Sequence, residues 1–337
     1  MEEISNKIET SNMLLFSIII PAFNCEGYIE RVVNSIAEAA DDRNDYEIII
    51  VDDGSTDSTG DKCRKLQEKC KNIRIIIQEN QGSALARLNG FKEARGKYSL
   101  TIDSDDLIAK DYFTEIEKLL KEKKEYDFYF LNNFRNRKNS NDFKVERLRR
   151  ENYCLGSKSE AAKLIILNGE AAVWNKIFKS SILKKVIHDI ESSEINPGII
   201  YGDDQMINIL YLRDDMVKKI YVSDLAVYYH YQDSETSICR TPNYKRLLDD
   251  EIELFFIFEK TLNNKAFSDM NYSSKSKIIM ETVKGIAAVF IKLRLKQVID
   301  KDYRLEELRN IRLISKNYKA QSIKQRIYKL YAVLMWR

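Results

Sequence analysis

The chain has 337 residues, enough for one large domain with an addition and for a substantial buried core. Hydrophobic residues at 44% and charged residues at 32% exclude a disordered chain, and a net charge of +3 gives no reason to expect nucleic acid as a partner. Five cysteines at irregular spacing and only two histidines, His188 and His230, argue against a disulfide framework and against a zinc site.

In chain order, residues 1–12 read as a loose polar tail without signal-peptide character. Leu14–Ile20 is a β-rich run closed by Pro21 and Asn24, and Gly27–Ala40 repeats apolar residues at helical spacing. Glu47–Val51 reads as a buried strand, and Asp57–Cys70 as a helix with Ser55 or Asp57 as cap candidates. Ile73–Ile77 (strand), Ser83–Ala94 (helix) and Tyr98–Ile102 (strand) follow. This alternation predicts an α/β fold with a mostly parallel, Rossmann-like sheet flanked by helices. Such sheets bind ligands beyond the carboxyl ends of their strands. Pro21–Glu26, Asp52–Asp57 and Asp103–Asp106 should therefore share one rim.

Beyond that point the pattern predicts a helix at Tyr112–Lys124, a strand at Phe128–Leu131, helices at Lys158–Leu167 and Asp203–Leu212, and a β-like run at Ile220–Tyr231. Arg135–Arg150 is a basic stretch, either a solvated loop or a surface facing an acceptor. From Pro242 the chain reads as helical. Residues 308–337 hold no acid and interleave Lys and Arg with Tyr318, Ile327, Leu330, Tyr331, Leu334 and Trp336. This basic amphipathic tail suits an anionic membrane surface, or packing on the domain or a partner subunit in a homo-oligomer. The longest apolar runs fall far short of the roughly 20 residues that span a bilayer. A cytoplasmic protein, peripheral on the inner face of the membrane, is the expectation. The domain division is 1–12, then 13–240 (halves 13–106 and 107–240), then an all-helical appendage at 241–337.

The chemistry concentrates in three acidic segments. Ser99–Asp106, SLTIDSDD, is a hydrophobic strand that ends in three carboxylates around Ser104. A hard divalent cation with a diphosphate ligand accounts for them better than structure alone, because oxygen-only sites suit Mg2+ or Mn2+. In Ile48–Thr59, IIIVDDGSTDST, a turn brings Asp53 to the rim, where it could accept from a base imide N–H or merely shape a βα turn. Asp203 and Asp204 open a helix, where acids also stabilise the dipole.

FSIIIPAFNCEGYIERVVNSI, then EIIIVDDGSTDST, then NQGSALARLNGFKEARGKYSLTIDSDD resemble the ordered motifs of the family-two inverting glycosyltransferases with the GT-A fold. The resemblance is strong over Phe16–Asp106 and weaker to about Arg240. It implies a nucleotide-sugar donor, usually a UDP-sugar, a Mn2+ or Mg2+ cofactor, and a glycan or lipid-linked acceptor in bacterial surface-polysaccharide synthesis. Pro21, Ala22 and Phe23 would line the base pocket and Asp53 would bind the base. Asn80 and Arg87 would contact the nucleotide and Asp103 the ribose. Ser104 lies between them and Asp105, which would bind the metal. Two departures are the polar insert Ala40–Asp45, where the family carries Gln, and Leu88, where Asn often follows the Arg.

Downstream, AVWNKIF at Ala172–Phe178 resembles the family's Trp-x-Lys-aromatic segment, so Trp174 would stack on a sugar face or serve as a core residue. Asp204 matches the catalytic base, with Asp203 as support or alternative. His230 would bind metal or phosphate, or stand hydrogen-bonded at a strand end. Thr236 and Ser237 would donate to phosphate. Two rival readings are a sugar-nucleotide-binding protein without turnover and a sugar nucleotidyltransferase. The latter would want a Gly-rich basic loop that Pro21–Gly27 does not supply.

Overall fold

The structure, a computed structural model, describes residues 14–136, 143–144, 151–193, 195, 198–231 and 243–295. The N-terminal tail, most of the basic stretch 135–150, Thr236, Ser237 and the C-terminal tail 308–337 lie outside them.

Strands β1 (Phe16–Ala22), β2 (Tyr46–Asp52), β3 (Ile73–Ile77) and β4 (Tyr98–Thr101) pair in parallel in the order β3-β2-β1-β4. Helices α1 (Ile29–Ala40), α2 (Thr59–Lys69) and α3 (Ser83–Glu93) connect them. β2 is buried at all seven positions, as expected where both faces of a parallel sheet are covered. Alternation then sorts its side chains. Ile18, Ile20, Ile48 and Ile50 pack with α1 and α2 in one core, whereas Ile19, Ile49 and Val51 enter a second core on the opposite face.

The sheet continues as β4-β9-β6-β10-β5, with β7 (Phe143–Lys144) paired to β6 and β8 (Tyr153–Leu155) to β10. β9 (Lys176–Lys179) runs antiparallel between β4 and β6 (Phe128–Asn136), and β10 (Ile220–His230) runs parallel to β6. β5 (Leu107–Ile108) pairs antiparallel with the end of β10. The sheet is therefore mixed on this side, within the mostly parallel sheet that the sequence pattern predicts.

Helix α4 (Tyr112–Glu122) covers the first face, and α5 (Lys158–Leu167), α6 (Ser180–Glu191) and α7 (Asp203–Arg213) cover the second. α8 (Tyr244–Leu262) and α9 (Tyr272–Leu295) join that same second core through Leu248, Phe255, Phe258, Ile278 and Ile279. These helices are thus built onto the sheet's helical layer.

α7 is unusual. Met206 through Leu212 are buried at every position, Asn208 among them, so this stretch has no exposed face and lies inside the helical layer rather than on it. Its first turn carries Asp203 and Asp204 into that low-dielectric setting. Among the described residues no helix is long and apolar enough to cross a membrane.

Candidate functional site

The rim at the strand ends forms because β1, β2 and β4 stop together. Asp53 N–H donates to Ala22 O at 2.8 Å, and Ile102 N–H donates to Ile19 O at 2.9 Å. Pro21 is half-buried, Ala22 buried, and Phe23 is 44% exposed at the end of β1.

Asp53 is 3% exposed. Its Oδ1 accepts from Gln78 Nε2 (2.8 Å) and Gln81 N (2.9 Å), and its Oδ2 from Gly82 N (2.8 Å). The carboxylate thus shapes the 78–82 loop that carries exposed Asn80, and a base imide could use only what acceptor capacity remains. Gly54 makes that packing feasible: its φ is +74°, and a Cβ there would lie 2.8 Å from Asn80 N.

The loop leads into α3, where Ser83 Oγ donates to Asp203 Oδ2 (3.2 Å) and Arg87 is 7% exposed. One guanidinium nitrogen, Nη2, donates to Asp103 Oδ1 at 2.7 Å. The other, Nη1, donates to Asp203 Oδ2 and lies 3.6 Å from Asp204 Oδ1. Arg87 therefore joins carboxylates from the donor-side rim and from α7, a use for which its fixed fork is suited. The structure assigns Arg87 this carboxylate-clamping role, in addition to any contact with nucleotide.

Both acids of α7 are raised. Burial raises Asp203, with Arg87 pulling the other way and Asp103 adding to the rise. Burial, and then the neighbouring Asp203 charge, push Asp204 up to about 7 in spite of Arg87. Asp204 Oδ1 is buried without a hydrogen-bond partner among the described residues, while its side chain keeps 27% exposure. A reachable carboxylate with a pKa near neutrality is matched to accepting a proton. Asn208 Nδ2, one turn on, ties Asp204 O (2.8 Å) to Ala171 O (2.6 Å) and so anchors the helix start to the segment before Trp174.

At the other end of the DSDD turn, Asp106 is 1% exposed. It accepts from Tyr228 Oη (2.6 Å) and Tyr231 N (2.8 Å), and His230 Nδ1 lies 3.2 Å from its Oδ2. Burial pushes its carboxyl up to about 6, although the His230 contact works against the rise. Tyr228 Oη also accepts from Asp103 N at 3.1 Å. Arg31 donates to Asp105 O at 2.8 Å and sits 4.6 Å from the Tyr231 ring centroid.

Trp174 is 6% exposed and stacks on Tyr228 (4.5 Å between centroids) and His230 (5.1 Å). The structure therefore puts Trp174 among the aromatic supports of His230, with little ring face open to a sugar. Lys176 beside it is fully buried and donates to Glu170 O and Ala172 O, which folds that segment back on itself.

Among the described residues no three His, Cys, Asp or Glu side chains form a metal cage. Asp105 and His230 offer two ligands, a set that suits a hard cation completed by phosphate oxygens and water. The Asp106 contact fixes the His230 ring through Nδ1, so coordination would fall to Nε2, a common outer-sphere arrangement. These residues fit such an ion.

Arg87, Asp103, Asp203, Asp204 and His230 thus lie along one run of contacts, Asp53 holds the adjoining loop that carries Asn80, and Asp105 is tied by its backbone O to Arg31. Ser83, Asp106, Tyr228 and Asn208 are members that sequence reasoning passed over. Asp106 alone carried a signal, as the last carboxylate of DSDD. The described cysteines Cys25, Cys63, Cys70 and Cys154 are free thiols.

Three comparisons bear on this geometry. GlyG of Streptococcus pneumoniae serotype 4, a glycosyltransferase, is 27% identical over 252 residues, covering 72% of this chain and 78% of GlyG. GlyA of the same organism is 37% identical over 110 residues, 33% of this chain but only 15% of GlyA's length. The crystal structure of Staphylococcus aureus TarS in complex with UDP-GlcNAc shares the fold, with a TM-score of 0.65 at 21% identity over 96% of this chain and 87% of that one. The family described as "Glycosyl transferase family 2" matches residues 17–187, from β1 into α6. Half the chain, including the whole donor-side rim, follows that family's pattern, and the chain belongs to glycosyl transferase family 2.

Proposed function

We propose that this glycosyltransferase moves a sugar from a nucleotide diphosphate sugar, most simply a UDP-sugar, to an acceptor hydroxyl with inversion at the anomeric carbon. The observation that carries the reading is the Arg87 clamp. It gathers Asp103 from the donor rim and Asp203 and Asp204 from α7, and leaves Asp204 with a pKa of about 7.

In the proposed reaction Asp204 takes the proton from the acceptor hydroxyl as that oxygen attacks the anomeric carbon and the nucleotide diphosphate departs. Asp203, bound to Arg87 and Ser83, supports the geometry of its neighbour. Pro21, Ala22, Phe23, Asn80, Asp103 and Ser104 face the nucleotide, and Asp53 holds the loop beneath it. Mn2+ or Mg2+ bound by Asp105, His230 and the diphosphate would neutralise charge on the leaving group. The UDP-GlcNAc complex of the TarS fold relative supports a uridine nucleotide. Thr236 and Ser237 would reach the phosphates from the segment after β10.

The proposed domain runs over 13–240, with the donor half at 13–106 and the acceptor half at 107–240; of the expected helical region 241–337 the described residues cover 243–295, with helices at Tyr244–Leu262 and Tyr272–Leu295. The acceptor is a glycan or lipid-linked hydroxyl of a bacterial surface polysaccharide. The basic tail at 308–337 would hold a cytoplasmic enzyme to the inner membrane face. Purified protein incubated with a panel of UDP-sugars, with and without Mn2+, tests the core of this reading. UDP release that needs Mn2+ and disappears in Asp204→Asn supports it; full release by Asp204→Asn overturns it.

A further inference from the structure

Asp204 is held from a direction that the donor rim does not reach. The loop 198–202 delivers the chain to α7, and its last residue, Gly202, has a φ of +89°. A Cβ at Gly202 would lie 2.3 Å from Leu254 Cδ1 of α8, so the loop is pressed directly onto that helix. One turn earlier on α8, Asp250 is 3% exposed. Its Oδ2 accepts from both Ile200 N and Tyr201 N at 3.0 Å.

Arg246 completes the arrangement. Its Nε lies 3.0 Å from Asp250 Oδ1 as an ion pair, and its Nη2 donates to Gly198 O. Asn243 N donates to Tyr201 Oη at 2.9 Å. The Ile200 side chain in turn rests against Gly82, whose N–H is bound by Asp53. A line of direct contacts thus runs from α8 through the loop to both halves of the site. The family match ends at residue 187, before this loop and before α8.

We propose that Asp250 is a positioning residue: it fixes the two amides ahead of Gly202 and thereby sets where Asp204 meets the acceptor. The inference rests on Asp204 as the base. Misplacing a reacting group by about 1 Å can cost roughly 100-fold in rate without touching donor affinity.

The test uses the full chain, with UDP release from a UDP-sugar donor as the turnover readout and UDP titration as the binding readout. Asp250→Ala should lower kcat about 10- to 100-fold with UDP affinity within about 2-fold of wild type. Asp250→Asn, whose carbonyl still accepts two amides, should restore most of the rate. Arg246→Ala, at a more exposed position, should lower kcat about 3- to 10-fold and keeps the test open if Asp250→Ala does not fold.

The matched control is Asp127→Ala. Asp127 also holds two consecutive amides, Lys218 N (2.8 Å) and Lys219 N (3.0 Å), with a Lys179 ion pair, but feeds no loop to Asp204. It should lose stability and keep its kcat. Equal kcat losses in Asp127→Ala and Asp250→Ala, or wild-type kcat in Asp250→Ala or Arg246→Ala, would overturn the proposal. Asp204→Asn runs alongside. If it turns over normally, the base assignment falls and this inference with it; if it is inactive while Asp250→Ala is normal, only the positioning role falls.

Discussion

The carboxylates of the turn after β2 (Asp52, Asp53 and Asp57) and Asp204 of α7 are treated oppositely by the fold. On the rim, Asp52 accepts from Ser55 N, Asp53 from Gln81 N and Gly82 N, and Asp57 from Thr59 N and Glu26 N. Burial works against ionisation of Asp57, yet the hydrogen bonds from Thr59 hold its carboxyl below the usual range. On α7, Asp204 Oδ1 has no hydrogen-bond partner among the described residues, and burial with the Asp203 charge drives the group upward. Amide-rich surroundings turn an acid into a fastener, and amide-poor surroundings turn it into a base. The same residue type builds the loops on one side and is kept reactive on the other.

Arg87 is where the two regions meet, so its removal should have the largest effect. Arg87→Ala leaves three neighbouring carboxylates without their shared cation, two of them largely buried. A loss of about 3–5 kcal/mol in stability is expected, together with loss of turnover, measured by denaturant unfolding and by UDP release. Arg87→Lys keeps the charge without the fork and should fall between. Wild-type stability in Arg87→Ala would mean the clamp is not what joins the halves.

Asp204→Asn should reduce turnover about 100- to 10,000-fold and yet stabilise the fold. The folded pKa, about 7, lies above the unfolded value near 4. Between those pH values the folded state holds a proton that the unfolded state has lost, so stability declines as pH rises through that window. The variant should therefore exceed wild type by about 1–3 kcal/mol at pH 8, with the difference vanishing toward pH 4. In the wild type the rate should fall with an acid limb near pH 7. Rate and stability curves across pH check both halves of the contrast.

Asp53→Ala asks the same question of the rim. Two backbone N–H groups and the Gln78 amide lose their acceptor, which should cost about 1–3 kcal/mol and weaken nucleotide binding through the loosened 78–82 loop. Weakened binding at unchanged stability would instead make Asp53 a direct ligand of the base and nothing more.

The rim was legible because its signals are local. β1 and β2 carry the apolar runs Ile18–Ile20 and Ile48–Val51, and β1, β2 and β4 each end at a Pro or an acidic turn within a few residues. α6 does carry a signal, in the helical spacing of Ile182, Leu183, Val186, Ile187 and Ile190, directly after the AVWNKIF segment. β9 was not visible at all: it has four residues, two of them lysines, and Lys176 is fully buried through bonds to carbonyls that no spacing rule anticipates. Asp106 bonding Tyr228, and Arg87 bonding Asp203, join residues more than a hundred positions apart. Spacing can nominate such acids; only topology introduces their partners. For Trp174 the sequence leaves a sugar platform and a core residue both open, and the stacking on Tyr228 and His230 agrees with the second.

Phe23 gives the smallest effect and the cleanest separation of the two regions. It is 44% exposed just past the tip of β1, whereas the apolar residues of that strand other than Pro21 are buried. A ring left open there gains little from folding, so Phe23→Ala should change stability by no more than about 0.5 kcal/mol. If the ring lines the base pocket, the variant should bind UDP about 2- to 10-fold more weakly, the worth of one aromatic stack. The turnover rate of bound donor should be unchanged, because Asp204 and its clamp lie on the other side of the network. Isothermal titration with UDP and a kcat measurement at saturating donor decide it: a fall in kcat at unchanged affinity would connect the base pocket to α7 more tightly than the hydrogen bonds of the rim can account for.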